Sequence, residues 1–106
     1  MSKTAVVTGA GRGIGKTIAE KFKSENYIVH ALDVTADDDV MLCDVTNSDQ
    51  VQSIADQIGP VDVLVNNAGV WTFNSLEDSS EDEFDTTISV NLKGPFNCIR
   101  AFGKYM

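Results

Sequence analysis

Residues 4–15 are TAVVTGAGRGIG, an apolar run that leads into four glycines within seven positions. Ala5, Val6 and Val7 are small or β-branched, which suits a strand buried on both faces. The glycines lead into apolar residues at helical spacing, which are Ile14, Ile18, Ala19 and Phe22. A glycine-rich turn between a buried strand and a helix offers free backbone N–H groups and the positive end of the helix dipole. The stretch therefore predicts a site for an anion such as a diphosphate.

Two kinds of nucleotide site are compatible with this turn. Residues 10–17 are one substitution away from the P-loop of nucleoside triphosphatases, because their first position is Ala10 instead of glycine. A dinucleotide site instead needs an acidic residue about 20 positions past the glycines, at the end of the next strand. Asp33 meets that need, since residues 27–32 (YIVHAL) are strand-like. The dinucleotide interpretation is favoured, and the triphosphatase remains the alternative.

Four motifs together resemble the short-chain dehydrogenase/reductase (SDR) family. Residues 8–15 match the family pattern TGxxxGIG, and three further matches follow in the family's order: Asp44-Val45, Asn66-Asn67-Ala68-Gly69 and Asn91. The resemblance runs from Lys3 to the last residue. It implies an NAD(P)-dependent oxidoreductase that interconverts an alcohol and a carbonyl by hydride transfer.

The resemblance also assigns roles to individual residues. Asp44 and Val45 would lie against the adenine ring, and the backbone of residues 67–69 would border the ribose of the nicotinamide. Asn91 is the catalytic candidate, whose carbonyl would hold a water at the end of a proton relay. The cofactor-binding residues expected in all are Gly9, Arg12, Gly13, Ile14, Gly15, Asp33, Asp44, Val45, Asn67, Ala68 and Gly69.

The preferred cofactor follows from charge. Asp33 should accept a hydrogen bond from a ribose 2′-hydroxyl and repel a 2′-phosphate, and such like-charge contacts cost several kcal/mol of specificity. Arg12 occupies a position where NADP-using members of the family often carry a basic residue. A flexible arginine at the rim can serve the diphosphate instead, so we expect NAD in preference to NADP.

Strand-like segments at residues 5–7, 27–32, 40–43 and 61–65 alternate with helical ones, which predicts an α/β fold. Only six residues separate Asp33 from Val40, so a bare loop instead of a helix must run back along a strand of about five residues. Right-handed crossovers then leave a truncated, Rossmann-like doubly wound parallel sheet in the order 3-2-1-4.

Two further helices are expected. Thr46 or Asn47 can cap a helix over residues that end at Gly59-Pro60. Ser80 and Glu83 form a capping box for the last helix. The apolar members of that helix are Phe84, Ile88, Leu92, Phe96, Ile99 and Phe102. In the resembled family this helix often packs against its twin in a dimer.

Pro95 predicts an irregularity in the last helix. Proline has no N–H, so the carbonyl of Asn91, four residues back, loses its intrahelical partner. Gly94 loosens the helix further, and a kink is expected between Asn91 and Phe96.

The 106 residues predict one domain, shorter than the family usually is. The family's catalytic serine strand and its Tyr-x-x-x-Lys helix have no counterpart here. We therefore expect residues 1–106 to be the NAD(P)-binding, N-terminal portion of an SDR, an enzyme only if completed. The alternative is a non-catalytic dinucleotide-binding or sheet-completing module. Residues 62–67 would be an exposed strand edge, so self-association or a completing chain is expected.

Composition excludes several partners. The formal charge of −8, from 16 acidic and 8 basic residues, disfavours nucleic acid and anionic membranes. No apolar segment resembles a signal peptide or a membrane span, so a cytoplasmic protein is expected. Cys43 and Cys98 lack metal-ligand spacing and are expected in the core. The acidic run at residues 77–85 suits a helix start, and no metal site is expected.

Overall fold

Four parallel strands form the centre of the computed structural model, which describes residues 2–35 and 37–106. The strands are β1 (Thr4–Thr8), β2 (Ile28–Asp33), β3 (Val40–Leu42) and β4 (Val63–Val65). The helices are α1 (Gly13–Ser24), α2 (Ser48–Ile58), α3 (Glu81–Ile88) and α4 (Gly94–Gly103), with a π-helical turn (Ser89–Lys93) between α3 and α4. None of the helices in the described ranges is both long and apolar enough to span a membrane.

The strand order is β3-β2-β1-β4, which confirms the predicted order and the α/β class. β1 is central and pairs with β2 from Thr4 opposite Ile28, and with β4 from Ala5 opposite Val63. Two strands are shorter than predicted: β3 ends at Leu42, one residue earlier than expected, and β4 begins at Val63, two residues later than expected.

The connection from β2 to β3 contains no helix among its described residues, as expected. β3 begins opposite Ala31, only two positions before the end of β2. The loop therefore runs back about 7 Å, at about 3.3 Å per residue, and not along a whole strand as the sequence suggested. Ala36 of this loop lies outside the described residues.

Neighbouring residues of each central strand point to opposite faces of the sheet. Val6 belongs to a core with α2 and α4, whose largest fully buried side chain is Phe102. Val7 belongs to a second core with Ala19 of α1. The sheet is thus covered on both faces, as a doubly wound fold requires.

Local signals set the helix ends. The Asn47 side chain accepts from the Gln50 N–H at 3.1 Å, and the Ser80 side chain accepts from the Glu83 N–H at 3.0 Å, so both predicted caps are present. Asn26 follows α1 with a φ of 67°, the left-handed conformation that ends helices. The predicted apolar stripe of α1 is wrong at Ile14, which is 75% exposed at the glycine turn.

The last helix has the predicted irregularity, but it lies earlier than expected. The N–H of Gly94 bonds to the carbonyl of Ser89, five residues back, which makes residues 89–93 a π-helical turn. Pro95 has no N–H to offer, so the bonding pattern changes register before it.

Candidate cofactor site

The glycine turn packs directly against the loop that follows β4. Gly9 has a φ of 63°, and a Cβ there would lie 2.9 Å from the Cα of Ala68. At Gly15 a Cβ would collide with the carbonyl oxygen of Gly9 and the side-chain nitrogen of Asn67. Both positions therefore need glycine, because any side chain would push the two loops apart.

Thr8 and Asn67 join these loops by hydrogen bonds. The Thr8 hydroxyl accepts from the backbone N–H groups of Asn67 and Ala68, both at 3.0 Å. The Asn67 side chain donates to the carbonyl of Gly9 at 3.1 Å. The Asn67 side chain thus ties the loop after β4 to the glycine turn after β1.

Asp33 ties the other side of the glycine turn to β2. One carboxylate oxygen accepts from the Gly11 N–H at 2.8 Å, and the other accepts from the Val34 N–H at 2.7 Å. The Ala10 N–H donates to the carbonyl of Leu32 at 3.0 Å. Each carboxylate oxygen keeps acceptor capacity for a further donor, such as a hydroxyl.

Asp44 and Val45 follow β3 at the same edge of the sheet. The Asp44 carboxylate accepts from the N–H and the hydroxyl of Thr46, at 2.9 and 2.7 Å. Val45 is buried, and its carbonyl accepts from the side chain of Asn97 at 2.9 Å. Asp44 thus stabilises the turn after β3 and also lines the cleft.

These segments surround an open cleft of about 460 Å³ at the carboxyl ends of the strands. Every predicted cofactor-binding residue lines it except Gly15, which is buried behind the turn. Four other lining residues were not predicted from the sequence, and they are Val34, Cys43, Val70 and Val90. Each is adjacent in sequence to a predicted site residue, since Val34 and Val70 follow one and Cys43 and Val90 precede one.

A second groove, of about 550 Å³, is larger but lies beside α1 and Tyr27. Its lining is mostly apolar and contains neither the glycine turn nor a strand end. Ligands of open α/β sheets bind outside the carboxyl ends of the strands, so the smaller cleft is the better site.

The Asn91 side chain holds the loop that leaves the cleft. Its amide nitrogen donates to the carbonyl of Val70 at 2.7 Å, and its oxygen accepts from the Val70 N–H at 2.8 Å. Asn91 is therefore paired with the residue directly after Gly69, and its neighbour Val90 lines the cleft.

The two cysteines are free and lie in the same core, as predicted. Burial raises the pKa of Cys43 to about 11 and that of Cys98 to about 12. Burial also lowers the pKa of His30, which lies within β2. Among residues 2–35 and 37–106, no three His, Cys, Asp or Glu side chains are grouped so that they could hold a metal ion.

Comparison with known proteins shows one matching family and several relatives of similar sequence. The family described as short chain dehydrogenase matches residues 3–106. A 3-oxoacyl-[acyl-carrier-protein] reductase of Staphylococcus aureus is 37% identical over 120 aligned residues, covering 94% of this chain and 49% of the relative. A D-threitol dehydrogenase of Mycolicibacterium smegmatis is 34% identical, with 98% of this chain and 47% of the relative covered.

Solved structures of two dehydrogenases or oxidoreductases superpose on almost the whole of this chain. Ligand-free aldohexose dehydrogenase of Thermoplasma acidophilum superposes with a TM-score of 0.92 at 40% identity, over 99% of this chain and 44% of that one. A metagenomic short-chain oxidoreductase in complex with NADP superposes with a TM-score of 0.88 at 36% identity, over 100% of this chain and 57% of that one.

The chain spans about half the length of the curated relatives it matches. The reductase alignment, at 120 residues, is longer than the 106-residue chain, so that relative has residues without a counterpart here. The family match covers residues 3–106, and the superposition on aldohexose dehydrogenase covers 99% of the chain. The chain therefore belongs to the short-chain dehydrogenase family.

Proposed function

We propose that residues 1–106 form the NAD(P)-binding domain of an oxidoreductase that transfers hydride between a dinucleotide and an alcohol/carbonyl pair. The observation that carries the proposal is the interlock of the glycine turn with the loop after β4, through Thr8, Gly9 and Asn67. It holds the N-terminus of α1 open toward the cleft, where a diphosphate would meet free N–H groups and the helix dipole.

The residues at the start of α1 support this interpretation. Arg12 is the N-cap residue, and its side chain makes no capping bond. The first turn of α1 contains no acidic residue, so nothing there competes with an anion. The proposed diphosphate would lie at Gly13 and Ile14, with the Arg12 guanidinium beside it.

NAD is the proposed cofactor, in preference to NADP. Asp33 presents its carboxylate to the cleft and can accept a bond from a neutral 2′-hydroxyl, whereas a 2′-phosphate would bring a second negative charge to it. Two solved relatives were obtained with the phosphorylated cofactors, one with NADPH and one with NADP, so family membership alone does not decide the choice.

Asn91 is the proposed catalytic contribution of this chain. Pro95, four residues further on, has no N–H to donate to the backbone carbonyl of Asn91, which would hold the water that ends a proton relay. The bidentate contact of its side chain with Val70 would keep that turn in place beside the cleft. The tyrosine and lysine of the relay would come from a further segment, and the 106 residues alone should bind cofactor without turnover.

Equilibrium titrations of the 106-residue protein with NADH, NADPH and Mg-ATP test this function. We expect NADH to bind most tightly. Binding of Mg-ATP without either dinucleotide would overturn the proposal in favour of the triphosphatase. That alternative is weakened by the N–H groups of Ala10 and Gly11, which donate to β2 and so cannot cradle phosphates.

Turnover is tested separately. Oxidation of NADH with a panel of ketones by homogeneous protein would refute the need for a further segment. Asn91→Ala keeps the backbone carbonyl and removes the side-chain bonds to Val70, so turnover that survived in this variant would refute the positioning role of the Asn91 side chain. Lys93→Ala, an exposed change in the same turn, is the matched control.

A second candidate is a non-catalytic module that completes its sheet with another chain or with a copy of itself. The observation that favours it is the position of β4, which among residues 2–35 and 37–106 pairs with β1 alone and leaves its other edge open. Dinucleotide binding would use the cleft, whereas sheet completion would use the open edge of β4. The titration with NADH therefore tests the first candidate, and the oligomeric state of the protein tests the second.

A further inference from the structure

We propose that Trp71 and Phe73 form an aromatic subsite for the substrate, and that the substrate is an aryl ketone or the corresponding alcohol, with an aromatic ring next to its reacting carbon. This inference rests on the proposed function and deepens it by naming a class of substrate. The two residues lie in the loop after β4, outside the motifs that carry the family resemblance.

The aromatic pair continues the cofactor cleft at one end. β1 lies between β2 and β4, so the residues after β2 and those after β4 are at opposite ends of the cleft. Asp33 marks the end proposed for the adenosine ribose, and Ala68 and Val70 mark the end proposed for the nicotinamide. Trp71 directly follows Val70 in the chain. A substrate whose reacting carbon lies at the nicotinamide would therefore have the aromatic pair beside it.

The backbone that carries the pair is held on both sides. Before the pair, the Asn91 side chain donates to the carbonyl of Val70 at 2.7 Å and accepts from its N–H at 2.8 Å. After the pair, the Asn74 side chain donates to the Glu83 carboxylate at 2.6 Å. Residues 71–73 alone lie between these two anchors. The rings are thus held in place before a ligand arrives, which lowers the entropy cost of binding.

The two rings contact each other and still leave most of their surface free. Their centroids are 5.3 Å apart with the ring planes at 59°, and Trp71 and Phe73 are 77% and 89% exposed. An aromatic ligand on these rings gains from burying apolar area and also from ring-to-ring contact. An aliphatic ligand of the same shape gains only from the burial. The pair therefore favours a substrate with an aromatic ring.

Competition experiments with the 106-residue protein saturated with NADH test this preference. The bound probe is para-fluoroacetophenone, observed by fluorine NMR, and it is displaced by acetophenone or by cyclohexyl methyl ketone, which has the same skeleton with a saturated ring. We expect acetophenone to bind about fivefold more tightly than the saturated ketone, because only its ring interacts with both aromatic side chains as a π-system.

Three variants assign the preference to the pair. Trp71→Ala and Phe73→Ala should each reduce the preference to less than about twofold, because each removes one ring. Leu76→Ala is the matched control, since Leu76 is an apolar side chain of the same loop and is 89% exposed, and it should keep the preference. The affinity for NADH, measured from the fluorescence of its nicotinamide, is followed in every variant, since none of the three residues lines the cofactor cleft.

The outcomes separate this inference from the proposed function. If NADH bound but acetophenone showed no preference over the saturated ketone, or if Leu76→Ala lost the preference as fully as Trp71→Ala, the subsite would be refuted and the proposed function would stand. The pair would then be a surface for a further segment of the protein. If NADH did not bind the unaltered protein, the proposed function would fail, and this inference with it.

Discussion

Thr8 is the residue whose importance the sequence least indicated. It is 1% exposed at the end of β1, and its hydroxyl donates to the carbonyl of Val65 at 3.4 Å while accepting from two N–H groups of the next loop. One hydroxyl thus joins β1, β4 and the residues that border the cleft. A hydroxyl is well suited to this role, because it donates once and accepts twice.

Thr8→Val should destabilise the protein by about 2 kcal/mol, because it leaves the N–H groups of Asn67 and Ala68 without an acceptor in a partly buried place. Thr8→Ser keeps the hydroxyl and should cost only about 1 kcal/mol, for the lost methyl group. Urea denaturation measures both values. Valine keeps the methyl group and lacks only the hydroxyl, so a loss in Thr8→Val no larger than that in Thr8→Ser would contradict the role of these hydrogen bonds.

The thiols of Cys43 and Cys98 should be unreactive in the folded protein. Burial holds their pKa values near 11 and 12, so almost no thiolate exists at pH 8. A chromogenic disulfide reagent should modify both thiols at pH 8 only in denaturant. Rapid modification of the native protein would contradict the burial of these residues.

At the scale of elements, the end of α4 is attached to α2. The Tyr105 hydroxyl donates to the Asp56 carboxylate at 2.6 Å, and the Lys104 ammonium lies 4.0 Å from the same oxygen. The Val61 N–H donates to the carbonyl of Tyr105 at 3.2 Å, which brings the end of the chain to the start of β4. These contacts orient α4, whose other end carries the π-helical turn and Asn91.

The Tyr105 bond should make stability depend on pH in two windows. The bond from Tyr105 lowers the pKa of Asp56, so its contribution is present above the ordinary value of 3.8 and is lost as pH falls through the lowered value. The same bond raises the pKa of Tyr105, so that contribution is present below 10.0 and is lost as pH rises through the raised value.

The midpoint of thermal unfolding, measured against pH for the unaltered protein and for Tyr105→Phe, tests this pH dependence. The difference between them should be largest between about pH 5 and about pH 9 and should shrink on both sides. Because phenylalanine keeps the ring, the difference reports on the hydroxyl, and a difference that is zero or independent of pH would contradict the contribution of its bond to Asp56. Gln52→Ala, which removes a weaker cause of the lowered Asp56 pKa, is the control.

At the scale of the whole molecule, an apolar surface on α3, the π-helical turn and α4 is uncovered. Five side chains predicted as the apolar face of the last helix are 41–64% exposed, namely Phe84, Ile88, Leu92, Phe96 and Ile99. Only Phe102 of that set is buried in the core. Exposed apolar patches of this kind favour association.

The protein should therefore associate at high concentration, and Leu92→Glu should weaken that association by placing a charge on a side chain that is 64% exposed. Thr86→Glu adds the same charge at an exposed polar position of α3 and should have little effect. Light scattering over a concentration series measures both. Monodisperse monomer throughout, in the unaltered protein, would contradict the expectation.

The sequence by itself determined the class of fold, the strand order and most of the lining of the cleft. These features depend on local chemistry: β-branched residues form strands, glycines allow close turns, and Asn47 and Ser80 cap helices. The handedness of crossovers then leaves few arrangements for four strands. Asp33 was predicted from its distance to the glycines, since parallel strands end at a common edge.

Only the tertiary structure decided which side chains meet across that edge. Thr8 and Asn67 are 59 residues apart, and Asn91 reaches Val70 from a different element. The starting point of β3 opposite Ala31 was not predicted either, and it keeps the returning loop near the carboxyl end of β2. Such contacts depend on register and on the packing of distant segments, which the spacing of residues along one strand or helix does not contain.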